Sequence, residues 1–355
     1  MDIYGISSHK LNYHPERIAA WRQNKNIYPI YMEISPTGAC NHRCVFCGLD
    51  FMKYQARSLD SDLLKKRLSE LGRLGLKSAM YAGEGEPLIH KDIGEIAHHT
   101  KKAGIDVAFT TNGVLLNKDM GQELLPVTSW IKVSINAGTS KTYAMVHRTA
   151  QDDFDRVIEN LAYCRELRDK HRYNCTLGMQ LVLLPENRHE VVILAEIAKK
   201  IGMDYIVVKA YSQHPQSEVS EYQEGSLNGD GSLFEDLEAI ATSEFSVICR
   251  VSEERFQSNV EKGYSKCLAL PFWSYVDAGG GVWGCSVFLE DDRFYYGNIN
   301  EKSFQEIWEG ERRRNSLEWV AEKLDASKCR LNCRMDTINL YLHDIVNPPA
   351  HVNFI

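Results

Sequence analysis

Three cysteines lie within eight residues of one another near the start of the chain, in the order Cys40-x3-Cys44-x2-Cys47. Thiolates are the usual protein ligands of iron–sulfur clusters. Three of them on one loop can hold three irons of a cubane cluster and leave the fourth iron open to an outside ligand. Structural zinc is the alternative, but it prefers four ligands, so His42 or a distant residue would have to supply the fourth.

A second set of four cysteines lies in the last ninety residues: Cys267, Cys285, Cys329 and Cys333. Four thiolates ligate a cluster completely, so it could not bind substrate through iron and would serve electron transfer or scaffolding. A zinc knot with the same ligands is the alternative. The ten cysteines of the chain are not expected to form a disulfide framework, because we expect a reducing compartment.

The hydrophobic pattern predicts the scaffold that must position these cysteines. From residue 29 to about 210, β-rich runs alternate with amphipathic helical stretches. The predicted strands are Ile30–Ser35, Ser78–Ala82, Asp106–Thr110, Trp130–Ile135, Leu177–Leu184 and Tyr205–Lys209. The predicted helices are Ser61–Arg73, Ile93–Ala103, Phe154–Leu167 and Glu190–Ile201. Such a series implies a parallel sheet with right-handed crossovers, curled into most of a barrel with its site at the carboxyl ends of the strands.

The predicted fold class is therefore α/β, a partial (β/α)6 TIM-like barrel with a small C-terminal α+β domain. We expect an N-terminal extension over 1–28, the barrel over 29–255, the small domain over 256–340 and a tail over 341–355. One further strand, Phe245–Val251, closes the barrel segment. The tail contains Phe354 and is apolar enough that we expect it to cover the site.

Composition excludes several classes of protein. The chain has 355 residues, is 44% hydrophobic and 25% charged, and carries a formal net charge of −7. This is typical of globular proteins, and the absence of a basic stripe argues against nucleic acid as a partner. No run approaches the roughly 18 apolar residues of a membrane span, and the N-terminus lacks the apolar core of a signal peptide. We therefore expect a cytoplasmic protein.

The first cysteine motif and its place after the first strand resemble the radical S-adenosylmethionine (radical SAM) superfamily. In that family the open iron chelates S-adenosylmethionine, and one electron cleaves it to a 5′-deoxyadenosyl radical that abstracts a substrate hydrogen. Phe46 matches the family's aromatic near adenine. Three further segments follow consecutive predicted strands in the family's order: Gly83-Glu84-Gly85-Glu86-Pro87, Thr110-Thr111-Asn112-Gly113 and Ser134-Ile135-Asn136.

The resemblance implies a role for each segment. The first is similar to the GGEP motif that binds the methionine amine through its backbone, although Glu84 stands where a small residue is more common. The second is similar to the TNG turn beside the cofactor, and the third to the strand end that contacts the ribose. Arg148 falls where relatives often place a cofactor-side arginine. The implied cofactor-binding residues are Phe46, Gly83, Gly85, Glu86, Thr111, Asn112, Ser134, Asn136 and Arg148.

The C-terminal region resembles the SPASM and twitch extensions of the same superfamily. It has a G-x4-C hairpin ending at Cys285, a turn Gly297-Asn298-Ile299 and an "EIW" helix before the closing cysteines. The full SPASM pattern has about seven cysteines, so four favour the twitch form with one auxiliary cluster. The implied cofactors are S-adenosylmethionine and two [4Fe–4S] clusters, one binding S-adenosylmethionine and one auxiliary. A flavodoxin- or ferredoxin-type protein is the implied reductant.

The resemblance favours a small substrate, carbohydrate or aminocyclitol, and leaves two outcomes open. A dehydrogenase would pass its second electron to the auxiliary cluster. An epimerase would return a hydrogen atom from a thiol, for which Cys249 is the candidate, although a buried structural thiol is its ordinary interpretation. Lys209, which closes an apolar strand at the barrel mouth, and Glu84 are the other candidate catalytic residues.

Two further alternatives stay open. A peptide- or protein-modifying maturase is one, although about 30 residues before the first strand are too few for the peptide-recognition domain of such relatives. An iron–sulfur electron carrier or a metal-stabilised binding protein is the other. The segments that resemble S-adenosylmethionine-binding motifs argue against it, because a carrier needs no open iron.

Overall fold

A computed structural model describes residues 4–6, 8–219, 222, 231–250, 262–330 and 333–354. In chain order the strands are β1 Tyr31–Ile34, β2 Ser78–Tyr81, β3 Asp106–Thr111, β4 Thr128–Ser134, β5 Thr176–Leu183, β6 Tyr205–Ala210, β7 Ser246–Arg250, β8 Trp273–Val276, β9 Gly281–Trp283 and β10 Tyr295–Asn298. Within the described ranges they form one sheet in the order β10-β9-β8-β1-β2-β3-β4-β5-β6-β7.

The helices are α1 Pro15–Arg22, α2 Ser61–Arg73, α3 Ile93–Lys102, α4 Lys118–Leu124, α5 Ser140–His147, α6 Asp152–His171, α7 Val191–Lys200, α8 Gly231–Ile240, α9 Phe304–Trp308, α10 Glu311–Glu322 and α11 Asp336–Val346. Helices α2 to α8 alternate with strands β1 to β7 along the chain and pack on the outside of the sheet. Helices α9 to α11 come after the last strand, β10. Local sequence explains the starts of several helices. The Asp60 carboxylate accepts from the Leu63 amide before α2, and Ser303 and Glu306 form a capping box on α9.

The seven strands β1 to β7 are parallel and lie in chain order, each paired with its predecessor. This confirms the predicted α/β fold class, with the strand predicted at Phe245–Val251 joining the same sheet as β7. The short helices α4 and α5 were not among the predicted elements. The outer face of the sheet packs on the helices: Met32, Ile34, Ile131 and Val133 are each 0% exposed there.

The C-terminal strands do not form a separate sheet. β8 pairs in parallel with β1, from Tyr31 opposite Trp273 to Ile34 opposite Val276, and β9 and β10 continue antiparallel beyond it. The edge of β1, whose backbone groups would otherwise be unpaired, is thereby covered. A second apolar core lies under this extension and includes Phe272, Trp283 and Leu342.

The boundary expected at residue 255 lies outside the described residues, and α11 crosses the boundary expected at 340. The tail does not cover the site, because Phe354 is 83% exposed and Val352 52% exposed. In the part of the chain that the structure describes, no helix is both long enough and apolar enough to span a bilayer.

Candidate active site

The first cysteine motif lies in the loop that follows β1. Burial raises the pKa of the Cys40 thiol to about 12, and the nearby Cys47 sulfur contributes. Burial also raises the pKa of Cys44 well above its ordinary value, with contributions from Cys47 and Cys40. The three sulfurs therefore converge, and three soft donors on one loop fit a cubane cluster with one open iron.

His147 is a neighbour of this loop that the sequence analysis missed. Its Nδ1 lies 3.1 Å from the Cys44 sulfur, and its Nε2 lies 2.7 Å from the Ile135 carbonyl oxygen, to which it donates. Burial lowers the pKa of His147 to about 3. The ring is thus a neutral tautomer whose Nδ1 lone pair faces Cys44. Its only sequence signal was its place beside Arg148.

The zinc alternative can be compared with this geometry. The ligand atoms of His42, Cys44 and His147 all lie within 4.8 Å of one another. Neither ring nitrogen of His42 has a hydrogen-bond partner within the described residues, and its Nε2 lies 3.6 Å from Asp153 Oδ2. A mononuclear ion here would use one of the three motif cysteines, whereas a cubane cluster uses all three. The donor set therefore favours the cluster.

Glu86 connects the predicted cofactor loops. Its buried carboxylate accepts from the Thr111 hydroxyl at 2.5 Å, the Asn112 amide at 2.7 Å and the Leu88 amide at 3.1 Å. The Asn112 side chain in turn donates to Asn41 Oδ1 at 2.7 Å, inside the cysteine loop. Burial raises the pKa of Glu86 to about 7, against the effect of these donors. The loops after β1, β2 and β3 are therefore held together by side chains of the predicted motifs.

Gly83 and Gly85 are required by contacts within the protein. Both have positive φ, +104° and +73°. A Cβ on Gly83 would lie 2.2 Å from the Ser35 hydroxyl, and one on Gly85 would lie 2.1 Å from the Thr37 carbonyl oxygen. Any other residue would thus displace the loop. Their backbone contact with S-adenosylmethionine stays a prediction.

The other predicted cofactor residues lie in different surroundings. Asn136 is fully buried at φ +57°, and its Oδ1 accepts from the Val182 amide at 2.7 Å. Its side chain is therefore engaged within the fold. Ser134, at the end of β4, is partly buried. The Phe46 ring lies 5.6 Å from the His147 ring. Arg148 is exposed just after the end of α5. Their cofactor contacts stay predictions.

Glu84 joins the barrel to the C-terminal strands. Its buried carboxylate forms an ion pair with Arg57 at 3.1 Å and accepts from the Ala278 amide, between β8 and β9, at 2.7 Å. Burial raises the pKa of Glu84, against the effects of the Ala278 donor and Arg57. These contacts explain why a carboxylate stands in the motif where a small residue is more common. They favour a structural role over the predicted catalytic one.

Glu84→Ala should therefore lower stability, by about 3 kcal/mol, because it leaves a buried amide and a partly buried guanidinium without their acceptor. We expect the midpoint of thermal unfolding to fall by a few degrees. Glu196→Ala, on the exposed face of α7, is the matched control and should not change the midpoint. Wild-type stability combined with lost turnover would instead support the catalytic role.

Lys209 lies on the inner face of the barrel. The alternating residues Ile206 and Val208 pack outward against the helices, so Lys209 and Val207 lie on the opposite face. Burial, with Lys132, Arg250 and Arg334 nearby, lowers the pKa of its ammonium well below the ordinary value. Lys209 lies near the carboxyl end of β6, where the sequence analysis expected it at the barrel mouth, and its catalytic role stays a prediction.

Cys249 lies on the opposite side of the sheet from Lys209. It packs with Val247 against the core between sheet and helices, and burial, with Glu238 of α8 nearby, raises the pKa of its thiol to about 11. Arg250, the next residue, is the ladder partner of Lys209. The strand alternation that places Arg250 inward turns Cys249 outward. The predicted hydrogen-donor role does not fit this placement.

The second cysteine set also converges. Burial raises the pKa of the Cys285 thiol well above its ordinary value, and the nearby sulfurs of Cys333, Cys267 and Cys329 each contribute. Backbone and amide groups approach two of these sulfurs: the Met335 amide lies 3.5 Å from Cys333, and Asn339 Nδ2 lies 3.6 Å from Cys267. Four sulfurs with such donors around them fit a fully ligated cluster.

Comparison with known proteins agrees with both cysteine sets. The profile described as the radical SAM superfamily matches residues 34–198, and the SPASM profile, described as an iron–sulfur cluster-binding domain, matches residues 267–334. The cofactor-modifying protein of the tungsten-containing aldehyde ferredoxin oxidoreductase of Pyrococcus furiosus is 24% identical over 300 residues, 80% of this chain and 81% of the relative. The AdoMet-dependent heme synthase of Methanosarcina barkeri is 25% identical over 291 residues, 77% and 80% of the two chains.

Solved structures share the fold. SuiB of Streptococcus suis bound to S-adenosylmethionine superimposes with a TM-score of 0.64 at 19% identity, covering 95% of this chain and 79% of SuiB. Native anSMEcpe with bound AdoMet gives a TM-score of 0.59 at 14% identity, covering 90% and 100%. At these identities the likeness concerns the fold alone.

Proposed function

The chain carries a radical SAM domain followed by a SPASM domain, and from this we propose a radical SAM oxidoreductase that dehydrogenates a small, carbohydrate-like substrate. The two domains imply S-adenosylmethionine and two iron–sulfur clusters. When bound, these groups supply a radical that removes a hydrogen atom from a carbinol carbon and an acceptor for the electron left on the substrate. The protein has to hold these groups, orient the substrate and take up a proton.

Within this proposal each cysteine set has one task. Cys40, Cys44 and Cys47 hold the cluster that binds S-adenosylmethionine, in a loop fixed by Glu86 and Asn112. The second set holds the auxiliary cluster: Cys267, Cys285, Cys329 and Cys333. The names of the two curated relatives concern a cofactor and a heme, which supports a small molecule rather than a peptide as substrate.

The placement of the remaining cysteines is the observation that carries dehydrogenation over epimerisation. Cys164, Cys175 and Cys249 all belong to the core between the sheet and its helices. An epimerase that returns a hydrogen atom from a cysteine needs a thiol that reaches the substrate inside the barrel. Since none of these three faces the interior, the substrate radical is expected to lose an electron rather than regain a hydrogen atom.

Lys209 is the proposed proton acceptor. Oxidation of a carbinol removes one hydrogen atom, one electron and the hydroxyl proton, which needs a base. Burial is the main cause of the lowered pKa of Lys209, and three neighbouring cations add to it, so the neutral amine that a base requires is favoured more than in an ordinary lysine.

The test is a product analysis in deuterated water with trial sugars and aminocyclitols. Dehydrogenation yields a product lighter by two hydrogen atoms, without carbon-bound deuterium. Epimerisation yields an isomer carrying one deuterium. We expect the first outcome, with turnover about a hundredfold or more lower in Lys209→Met. Cys249→Ala should turn over at the wild-type rate, and deuterium incorporation that Cys249→Ala abolishes would overturn the proposal.

A further inference from the structure

The inner wall of the barrel carries a concentration of positive charge. Lys132 on β4, Lys209 on β6, Arg250 on β7 and Arg334 before α11 influence one another electrostatically. Glu33 on β1 is the acidic group that acts on both lysines, and it is already ion-paired with Arg334. Among the described residues, three cations, Lys132, Arg250 and Arg334, therefore act on Lys209 beside one carboxylate, that of Glu33.

Lys132 is the cation whose position is best defined. Ile131 and Val133, its neighbours in β4, are each 0% exposed in the core between the sheet and its helices, here called the outer core, so Lys132 lies on the inner face of the barrel. Its ammonium lies 5.6 Å from the centre of the Trp130 ring. Within the described ranges it has no hydrogen bond to a side chain or backbone carbonyl and no ion pair. It is thus a partly buried charge with which no acidic group of the described residues forms an ion pair.

The surroundings of Lys132 disfavour its charged form. Burial, together with Arg334 and Arg250, lowers the pKa of Lys132 to about 8. A buried charge needs a counter-charge or hydrogen bonds to offset the loss of hydration. Glu33 opposes the shift, but its carboxylate is already engaged by Arg334. An anion that enters the barrel would supply the counter-charge that Lys132 lacks among the described residues.

A neutral polar group lies on the same wall. Gln180 on β5 alternates with Met179 and Leu181, which are 0% exposed in the outer core, so its amide lies on the inner face. Its Oε1 is buried and has no hydrogen-bond partner within the described residues. This atom can accept a hydrogen bond from a substrate hydroxyl. One wall of the barrel thus offers both a cationic group and a hydroxyl acceptor.

We infer that the substrate carries an oxyanion, a phosphate or a carboxylate, which Lys132 binds inside the barrel with Arg334 and Arg250 beside it. The inference rests on the proposed function only in taking the barrel interior as the substrate chamber. The inference assigns a different role to each of the two lysines. Lys132 binds the anion as an ammonium, and Lys209 stays available as the base. The substrate class is then a hydroxylated small molecule with one acidic group.

The test measures binding of three matched probes to the reconstituted holoenzyme by calorimetry under anaerobic conditions. Glycerol 3-phosphate carries a phosphate, glycerate a carboxylate and glycerol no charge. We expect one or both anions to bind and glycerol not to bind. Lys132→Met should weaken anion binding at least about tenfold, as expected for a lost charge-assisted contact. Lys170→Met, on the exposed surface of α6, should bind as the wild type does.

Two further measurements distinguish a variant that is misfolded from an inference that is wrong. Iron content and unfolding midpoint show whether Lys132→Met is folded, and Lys132→Arg, which keeps the charge, should retain anion binding. Stronger binding of glycerol 3-phosphate identifies a phosphate, and stronger binding of glycerate a carboxylate. Equal anion binding by wild type and folded Lys132→Met would overturn the inference. Since binding is measured without turnover, this result would leave the dehydrogenase proposal to its own product analysis.

Discussion

Cys44→Ala is expected to abolish cleavage of S-adenosylmethionine. Cys44 is an enclosed sulfur of the first motif, since burial, with Cys47 and Cys40 nearby, raises its pKa well above the ordinary value. Without it the cluster has two ligands on this loop, and the variant should lose about four of roughly eight irons after reconstitution. The measurements are formation of 5′-deoxyadenosine under reducing conditions and iron counting.

Two controls make this result specific. Cys175→Ala removes a thiol from the outer core and should keep all the iron and the cleavage activity. His42→Gln distinguishes a cluster from a mononuclear ion: the cluster interpretation predicts unchanged iron, whereas an ion held by His42, Cys44 and His147 would be lost. Cleavage at the wild-type rate in Cys44→Ala would contradict the assignment of the catalytic cluster.

The second large effect is expected for Cys285→Ala, which should stop product formation without stopping cleavage of S-adenosylmethionine. Cys285 faces all three other sulfurs of its set. Its removal should cost about four irons and leave the first cluster in place. The electron left on the substrate would then lack its acceptor, so 5′-deoxyadenosine should form without the dehydrogenated product.

Electron paramagnetic resonance provides a readout independent of turnover. The reduced wild type should show one signal that S-adenosylmethionine shifts and one that it leaves unchanged. In Cys285→Ala the unchanged signal should disappear. Full product formation by a variant that lacks this signal would show that the auxiliary cluster is not the electron acceptor.

Much of the barrel could be predicted because its information is local. The run Ile30–Ser35 corresponds to β1 at Tyr31–Ile34, and Leu177–Leu184 to β5 at Thr176–Leu183. Each strand is a short, mostly apolar run bounded by polar turns, which short-range periodicity detects. The cysteine spacings are equally local.

The features that could not be predicted from the sequence depend on contacts between residues far apart in the chain. Nothing near Glu84 indicates that its carboxylate would bind the amide of Ala278, which requires β8 to pair with β1. The face of Cys249 was partly accessible from sequence. Arg250 in an otherwise apolar strand is better placed toward the polar interior, and strand alternation then turns Cys249 outward.

The pairing of β8 with β1 has a mechanical consequence. The loop of the first set follows β1, and Cys267 and Cys285 of the second set lie on either side of the β8–β9 hairpin, so both sets adjoin one continuous sheet. The pairing of β1 with β8 is reinforced by Glu84. The separation of the two sets is then fixed by the sheet and does not depend on a hinge. Electron tunnelling falls steeply with distance. In the proposed dehydrogenation, an auxiliary cluster held at a constant distance from the barrel would therefore accept the substrate's electron at the same tunnelling rate in every turnover, whatever the viscosity of the solvent.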